Sequence, residues 1–591
     1  MYRAPVSEIL HCLNAVSGLG ETLAKGEGGN LDADLLPAIL EEAGKFASDE
    51  IAPIHMSIEQ VGAKVENGVV TTAPGFKEVY HNWTAGGWNA LTGPEEYGGQ
   101  ALPQTLAMAA MEMWNAGSMA FGLAPMLTMG AIEAVEAHAS DALKEVYLAK
   151  LISGEWTGTM NLTEPQAGSD LAALKARAER RDDGTYRIFG QKIYITFGEH
   201  DMTDNIVHLV LARLPDAPAG TRGISLFLVP KFIPDENGAP GARNDVFCNG
   251  LEHKMGIHAS PTCTMIFGDG KFGDEPGAVG WLIGEENKGL ACMFTMMNNA
   301  RLAVGVQGVA IAEAATQKAQ HYANERSQGK AAGHSGEGMA PIVLHPDVQR
   351  NLLTMRSYTN AARAICYSCA HALDLSHTGD DANKAFWAER AALLTPVAKA
   401  FSTDIGSEMA SIGVQVHGGM GFVEETGAAI YMRDARIAQI YEGTNGIQGI
   451  DLALRKLPMS DGAAVKSLLD EYDAIVDALR ASNEPAFGDS ASHLAEALAD
   501  LRGATEWMLE AIAAKEMHAV LSAATPYQRL FGMASGGAYL AKSALADLGA
   551  AERIHICRFF AENLLDECAA LRRRVERGAP SIAAAAPSLV A

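Results

Sequence analysis

Positive charge is scarce in this chain of 591 residues: 46 lysines and arginines face 71 aspartates and glutamates, for a net charge of −25. No broad basic field is left to offset phosphate repulsion, which excludes nucleic acid as a general partner; a local basic pocket for a phosphorylated ligand stays open. Cysteine is sparse and scattered. The eight residues include one C-x-x-C pair, "CYSC" at 366–369, inside an alanine-rich helical pattern. Without a second pair or a strand–turn context it reads as small packing residues rather than a redox or zinc motif, and a reducing cytoplasm fits. The opening "MYRAPVSEILHCLNAV" has an early glutamate and no long apolar core, unlike a secretory signal. No run of about 18 or more apolar residues suggests a membrane span. Internal repeats and long low-complexity tracts are missing as well.

What is present is core material. Hydrophobic residues make up 48% of the sequence, enough at this length for a large interior and three or four domains. The patterning predicts an α+β protein, mostly α. Residues 1–154 show 3.6-residue apolar spacing, as in "LPAILEEAGKFASDEIAPIH", and read as an N-terminal helical domain. Across 155–280 the segments turn short and β-branched or aromatic ("TYRIFGQKIYITFG", "NIVHLVLARL", "GISLFLVPKF"), predicting a middle β domain built as a barrel or stacked sheets. Helical spacing returns over 281–460, broken by a Gly-rich connector at 329–346. Residues 461–591 form a further helical domain whose last stretch, "GAPSIAAAAPSLVA", reads as a frayed, flexible tail.

Three stretches carry candidate chemistry. "MNLTEPQAGSDL" (160–171) places Pro165, Gly168 and Ser169 in a tight loop with a hydroxyl and exposed backbone N–H groups, able to hold phosphate or a heteroaromatic ring; a plain helix-to-strand turn is the simpler alternative. "GQKIYITFG" (190–198) offers Tyr194 and Thr196 two apart, on one face of a regular strand, though an ordinary half-buried strand explains them equally well. "YEGTNGIQ" (441–448) puts Glu442 between a tyrosine and a glycine where an apolar-periodic stretch ends; alone, such a residue is usually solvated. Arg301 begins an apolar helical run, where a solvent-facing arginine is the plain reading.

Taken together with "GIHASPTCTMIFGD", "VGWLIGEENKGL", "MMNNARLAVGVQGVA", "YANERSQGK", "VQVHGGMGF" and "YMRDARIAQIYEGTNGIQ", these segments resemble the acyl-CoA dehydrogenase family over about residues 40–458. The "YRAP" opening and long C-terminal domain resemble its large bacterial subgroup that includes 3-methylmercaptopropionyl-CoA dehydrogenases. The resemblance implies FAD as cofactor, with residues 160–169 wrapping the flavin: Met160, Leu162, Thr163, Gly168 and Ser169 on that stretch, with Tyr194, Ile195 and Thr196 flanking the ring. Arg326 would meet the pyrophosphate. Gln415, Gly418 and Gly419 would reach the adenosine part of FAD in a neighbouring subunit, and Thr444 would also touch FAD. Ser169, Asn298, Arg301 and Gly443 would contact the acyl-CoA. Met160 stands where many members have an aromatic, Tyr194 where many have Trp, "RSQG" where many have "RKTFG" (which bears on Ser327 and Gln328), and Gly446 where many have glutamine.

The same resemblance makes Glu442 the base. It would take the α-proton of an acyl-CoA while the β-hydride goes to the flavin, giving a trans-2-enoyl-CoA. A backbone N–H at the base and a flavin ribityl hydroxyl would polarise the thioester carbonyl. A free glutamate, with a pKa near ~4.3, is a poor base for so weak a carbon acid, so desolvation has to raise it. Implied partners are an electron-transfer flavoprotein and a second copy of the chain, a dimer before a tetramer. The subgroup favours 3-methylmercaptopropionyl-CoA, giving 3-methylthioacryloyl-CoA in dimethylsulfoniopropionate demethylation. A generic fatty acyl-CoA dehydrogenase, an acyl-CoA oxidase and a non-catalytic acyl-CoA-binding scaffold are the alternatives.

Overall fold

The computed structural model describes residues 2–273, 275–336 and 338–590, apart from the side chain of Asn298. The chain is mostly helical around a β region, in the predicted order. It divides into two compact units, each described by itself: 1–44, 104–116 and 301–591 in one, 45–103 and 117–300 in the other.

The unit that holds 117–300 is built on an eight-stranded sheet. Its path runs 246–251, 262–267, 186–196, 278–283, 225–230, 205–212 and 156–161, with 177–180 pairing off the path to 186–196. A parallel bridge joins Arg177 to Arg213, just past the strand 205–212, so 177–180 links the path back onto itself through 186–196, 278–283, 225–230 and 205–212. The three strands at one end of the path, Ser225–Pro230, Asn205–Ala212 and Trp156–Asn161, are buried throughout, which explains why they read as continuous apolar runs. The pair 156–161 with 205–212 is parallel. Helix Met119–His138 packs on this sheet so closely that a Cβ at Gly158 would lie 2.3 Å from the Ala131 Cβ. Among the described residues this is the one helix long and apolar enough to cross a membrane, and 89% of its apolar window is buried inside the protein. A short hairpin, Lys64–Glu66 with Val69–Thr71, interrupts the region expected to be all helical. Its turn is Asn67-Gly68, both left-handed, a hairpin signal that was legible in "VENGVV".

The other unit is a helical assembly in which Pro346–Leu375 and Asp381–His417 are the long central helices. Gly305 and Gly308 bring the helix Gly289–Glu325 against the backbone at Ala398 and Ser402. Arg363 ties this core together: it donates to both Glu112 and Glu313, and the Tyr367 hydroxyl donates to Glu112. The C-x-x-C pair is buried packing as expected, with Cys366 Sγ 3.3 Å from the Ser402 hydroxyl and Cys369 Sγ 3.5 Å from that of Thr395. In the C-terminal region, Ala463–Ala481 buries Val465, Leu468, Leu469, Tyr472, Val476 and Leu479, one helical face by spacing. The expected frayed tail is instead the helix Ala579–Ala585 followed by a 3₁₀ turn. Alanine is the strongest helix former and Pro580 is tolerated in the first turn.

Candidate active site

Glu442 sits in the loop 439–445, between the helices Ala428–Ala438 and Asn445–Asp451. The loop is closed from both sides. The Asn445 N–H donates to the Gln439 carbonyl at 3.1 Å, and the buried Gln448 amide donates to the carbonyls of Glu442 (3.2 Å) and Gly443 (3.4 Å). Thr444 caps the second helix, its hydroxyl accepting from the Ile447 N–H at 3.3 Å. Glu442 itself has φ +55° and Gly443 φ +82°. Two successive left-handed residues turn the chain sharply, which glycine does freely and glutamate only at a cost. Such strain persists where surrounding contacts over-determine it, typically at functional sites.

Glu442 is half-buried, and the unit surrounds its carboxyl with charge. Burial pushes its pKa above the ordinary carboxylate value, while Arg301 and Lys399 pull it back. Arg301 is buried rather than solvent-facing, 3.6 Å from Asp451, and its helix starts well before it, at Gly289. Lys399 is fully buried and donates to Asn445 Oδ1 at 2.8 Å. The Tyr441 hydroxyl donates to Gln307, whose amide donates to Asn115 at 3.2 Å. Arg301 is thus brought to Glu442, beside Gly443 and Thr444. Arg326, Gln415, Gly418 and Gly419 belong to the same unit and are exposed. Arg326 follows a helix end and donates to Gln328 at 3.3 Å; the Gln328 N–H pairs with the Ala340 carbonyl at 2.9 Å. Gly418 and Gly419 end the 381–417 helix, with nothing within 4 Å of a Cβ at either. Beside them His417 stacks on Tyr322, ring centroids 4.5 Å apart.

The other unit holds the remaining predicted residues. Met160 is buried in the strand 156–161; Leu162, Thr163 and Thr196 are half-buried, and Gly168 and Ser169 exposed. The 162–164 segment is tied to the strand 186–196: the Ile193 N–H donates to the Thr163 carbonyl (3.0 Å), and Lys192 Nζ to the Leu162 carbonyl (3.0 Å) and Glu164 (2.8 Å). Both charges of that ion pair are buried. Burial opposes the charge on Glu164, but the Lys192 ammonium and the N–H groups of Lys175 and Ala176 outweigh it and hold the carboxyl below its usual range. Burial lowers Lys192 to about 8, so both are charged at neutral pH.

Tyr194 departs from the regular strand the spacing assumed. Lys192 pairs with Met265 and Ile195 with Cys263, so one extra residue is bulged out there. Tyr194 has φ +60° and is 60% exposed, and Ile195 is buried. Simple alternation from Tyr194 to Thr196 therefore fails, because a bulge shifts the phase of every side chain after it. The exposed Tyr194 ring and the hydroxyls of Thr163, Ser169 and Thr196 belong to the same unit, with open space over Gly168, residue types suited to a flat, polar heteroaromatic group. Asn298 falls outside the described side chains. Glu164, Lys192, Gln307, Lys399, Asn445 and Gln448 escaped the sequence reading. The visible hints were the lone lysines in "GQKIYI" and "TPVAKAF", cations set in apolar runs.

Comparison with known proteins agrees along the chain. The profile described as "Acyl-CoA dehydrogenase, N-terminal domain" matches residues 36–155, its middle domain 159–269 and its C-terminal domain 287–457, and "Acetyl-CoA dehydrogenase C-terminal like" matches 468–586. The 3-methylmercaptopropionyl-CoA dehydrogenase of Ruegeria pomeroyi is 44% identical over 584 residues, 97% of this chain and 98% of that protein. A butyryl-CoA dehydrogenase of Syntrophomonas wolfei is 36% identical over 74% of this chain and 73% of its own. The structure of Caenorhabditis elegans ACDH-11 in complex with C11-CoA shares the fold at a TM-score of 0.77, with 19% identity, covering 97% of this chain and 95% of that one.

Proposed function

The chain belongs to the acyl-CoA dehydrogenase family, and from that premise we propose that it oxidises a short acyl-CoA, 3-methylmercaptopropionyl-CoA first, to the trans-2-enoyl thioester. It is an FAD-dependent oxidoreductase. The observation that carries the mechanism is Glu442, a carboxyl on a strained, doubly anchored loop whose burial raises its pKa. A carboxylate that has lost its water is a stronger base, and every tenfold gain in basicity adds ~1.4 kcal/mol of driving force toward the α-proton.

The division of labour follows the chain. Residues 155–280 supply the contacts to FAD, which fit the exposed Tyr194, the hydroxyls of Thr163, Ser169 and Thr196, and the backbone of Leu162 and Ile195. FAD, when bound, supplies the acceptor for the β-hydride. Residues 281–460 supply the base: Glu442 takes the α-proton, Gly443 lets the backbone approach the thioester, and Arg301 offsets the charge of Glu442. Arg326 and Thr444 contact FAD as well, and Gln415, Gly418 and Gly419 reach the FAD of a neighbouring subunit. Electrons leave to an electron-transfer flavoprotein. The exposed apolar turn Gly418–Phe422, with Phe422 88% and Met420 47% exposed, supports assembly as a homodimer through that end, and residues 461–591 favour the dimer by covering a second face.

The 44% identity over nearly the whole length of both chains supports 3-methylmercaptopropionyl-CoA over a generic fatty acyl-CoA. Anaerobic titration of the purified protein with a panel of acyl-CoAs, following flavin bleaching, tests the reading. Complete bleaching by 3-methylmercaptopropionyl-CoA is expected. A protein that holds no flavin, or is bleached by no acyl-CoA, would leave only the binding scaffold. Reoxidation by air as fast as by the carrier flavoprotein would point to an oxidase.

A further inference from the structure

Lys399 is the charged group near Glu442 that the mechanism above does not use. It lies on the buried side of the helix Asp381–His417, fully out of solvent, and its ammonium donates to Asn445 Oδ1 at 2.8 Å. Asn445 is three residues from Glu442 and is itself clamped. Its amide donates to Asp404 (2.7 Å), the Thr403 hydroxyl (3.0 Å) and the Ala400 carbonyl (3.2 Å), while its N–H closes the loop onto Gln439. Gln439 returns to the same helix, donating to Asp404 at 2.6 Å. The loop that carries Glu442 therefore hangs on one turn of this helix, and a cation is placed inside that turn.

Resting on the assignment of Glu442 as proton base, we propose that Lys399 is a positioning residue: it pins the 439–445 loop through Asn445 and supplies the positive charge against which Glu442 stays ionised until substrate arrives. Burying a lysine is costly, and a cation that served only as packing would be better replaced by an apolar side chain. Burial brings Lys399 down to about 7; Glu442 and Asp404 hold its proton, and Arg301 opposes it. Arg301 in turn faces Asp451. Of the other elements packed on this helix, Ala428–Ala438 brings the buried carboxylate of Asp434, which acts on the Tyr441 hydroxyl, and Arg455 pairs with Asp451 at 3.3 Å. The helix Pro346–Leu375 presents the Cys366 thiol to Ser402, and Met517–Leu545 presents the Gln528 amide to the Pro396 carbonyl. The charges toward the two ends of the helix are paired, Arg390 with Glu471 and Arg529 with Glu408.

The test uses the full chain with its flavin, in three forms: wild type, Lys399→Met and Lys399→Arg. Two quantities are followed against pH: the rate of anaerobic bleaching by butyryl-CoA, and the infrared carboxyl titration of Glu442, identified by subtraction of Glu442→Gln. Loss of a nearby opposite charge moves a carboxyl titration upward by about one pH unit or more. Lys399→Met is therefore expected to shift both the acid limb and the infrared titration to higher pH, with bleaching roughly tenfold slower on the limb; Lys399→Arg restores both toward wild type. A rate lowered by the same factor at every pH, with the infrared titration unmoved, would overturn the proposal and leave Lys399 a packing residue. If Lys399→Met does not fold, Lys399→Gln removes the charge while keeping an N–H donor for Asn445, and an unmoved infrared titration there overturns the proposal equally. Bleaching that survives in Glu442→Gln would overturn the base assignment itself, whatever Lys399 does.

Discussion

The proposed mechanism rests on one carboxyl, that of Glu442, and its replacement is the sharpest probe of it. Glu442→Gln keeps size and hydrogen bonding but cannot accept a proton. The variant is expected to hold FAD and lose flavin reduction by substrate; near-wild-type bleaching would remove the residue from the mechanism. The sign of the pH effect follows from the direction in which its pKa moves. Burial raises the Glu442 pKa and the reactive form is the ionised one, so bleaching rises with pH through a limb displaced above the free-glutamate value of ~4.3. A rate still flat below that value would contradict a desolvated base. Glu442 was legible from the sequence only as a motif position. Its left-handed backbone was not, because φ at a glutamate is set by Gln439, Asn445 and Gln448 closing the loop around it, and Gln439 and Asn445 are held in turn by Asp404, on a helix earlier in the chain.

Loops and strands around the site show what patterning resolves and what it misses. Helix order, the β region and the apolar face of 463–481 were readable because burial imposes its period on the residues themselves. The bulge at Tyr194 was not readable, since an extra residue in a ladder leaves no compositional mark. The buried pair of Glu164 and Lys192 joins the 162–164 segment to a strand 28 residues away, and a single sequence cannot pair them. Breaking it has a predictable effect. Glu164→Ala strands the Lys192 ammonium in the interior, and removing one partner of a buried pair costs about 3–5 kcal/mol. Urea unfolding is expected to show that loss, together with weaker flavin retention; a loss under about 1 kcal/mol would mean the pair is effectively solvated. The Glu164 carboxyl is held below its usual range, so its contribution is complete above the unfolded-state value and disappears as pH falls through the folded one. The variant and wild type should converge in stability in acid.

Substrate range and stoichiometry are properties of the whole molecule. If the acyl pocket is short, each added methylene gains ~0.8 kcal/mol only while room remains, and overpacking then costs ~1–3 kcal/mol. kcat/KM is expected to peak near butyryl-CoA or 3-methylmercaptopropionyl-CoA and to fall for palmitoyl-CoA; better turnover of palmitoyl-CoA would replace the short-chain reading with a fatty-acyl one. Light scattering is expected to give a dimer that depends on the 418–422 turn, so Phe422→Asp should weaken both self-association and FAD retention. A monomer with full FAD would contradict this. The sequence carried family membership through separated motifs in fixed order, but pocket depth depends on which helices meet in space, and that is written nowhere along the chain.

All eight cysteines are free and buried, and they divide unevenly: Cys12, Cys366, Cys369, Cys557 and Cys568 fall in one compact unit, Cys248, Cys263 and Cys292 in the other. Native protein is thereby supplied with a built-in stopwatch. A thiol reagent left with it reacts only during excursions that open the interior, and intact mass counts how many sulfurs each excursion released. Adducts arriving in a block of eight mean the molecule opens as one; a block of three or of five names the unit that opened alone, with no engineered label.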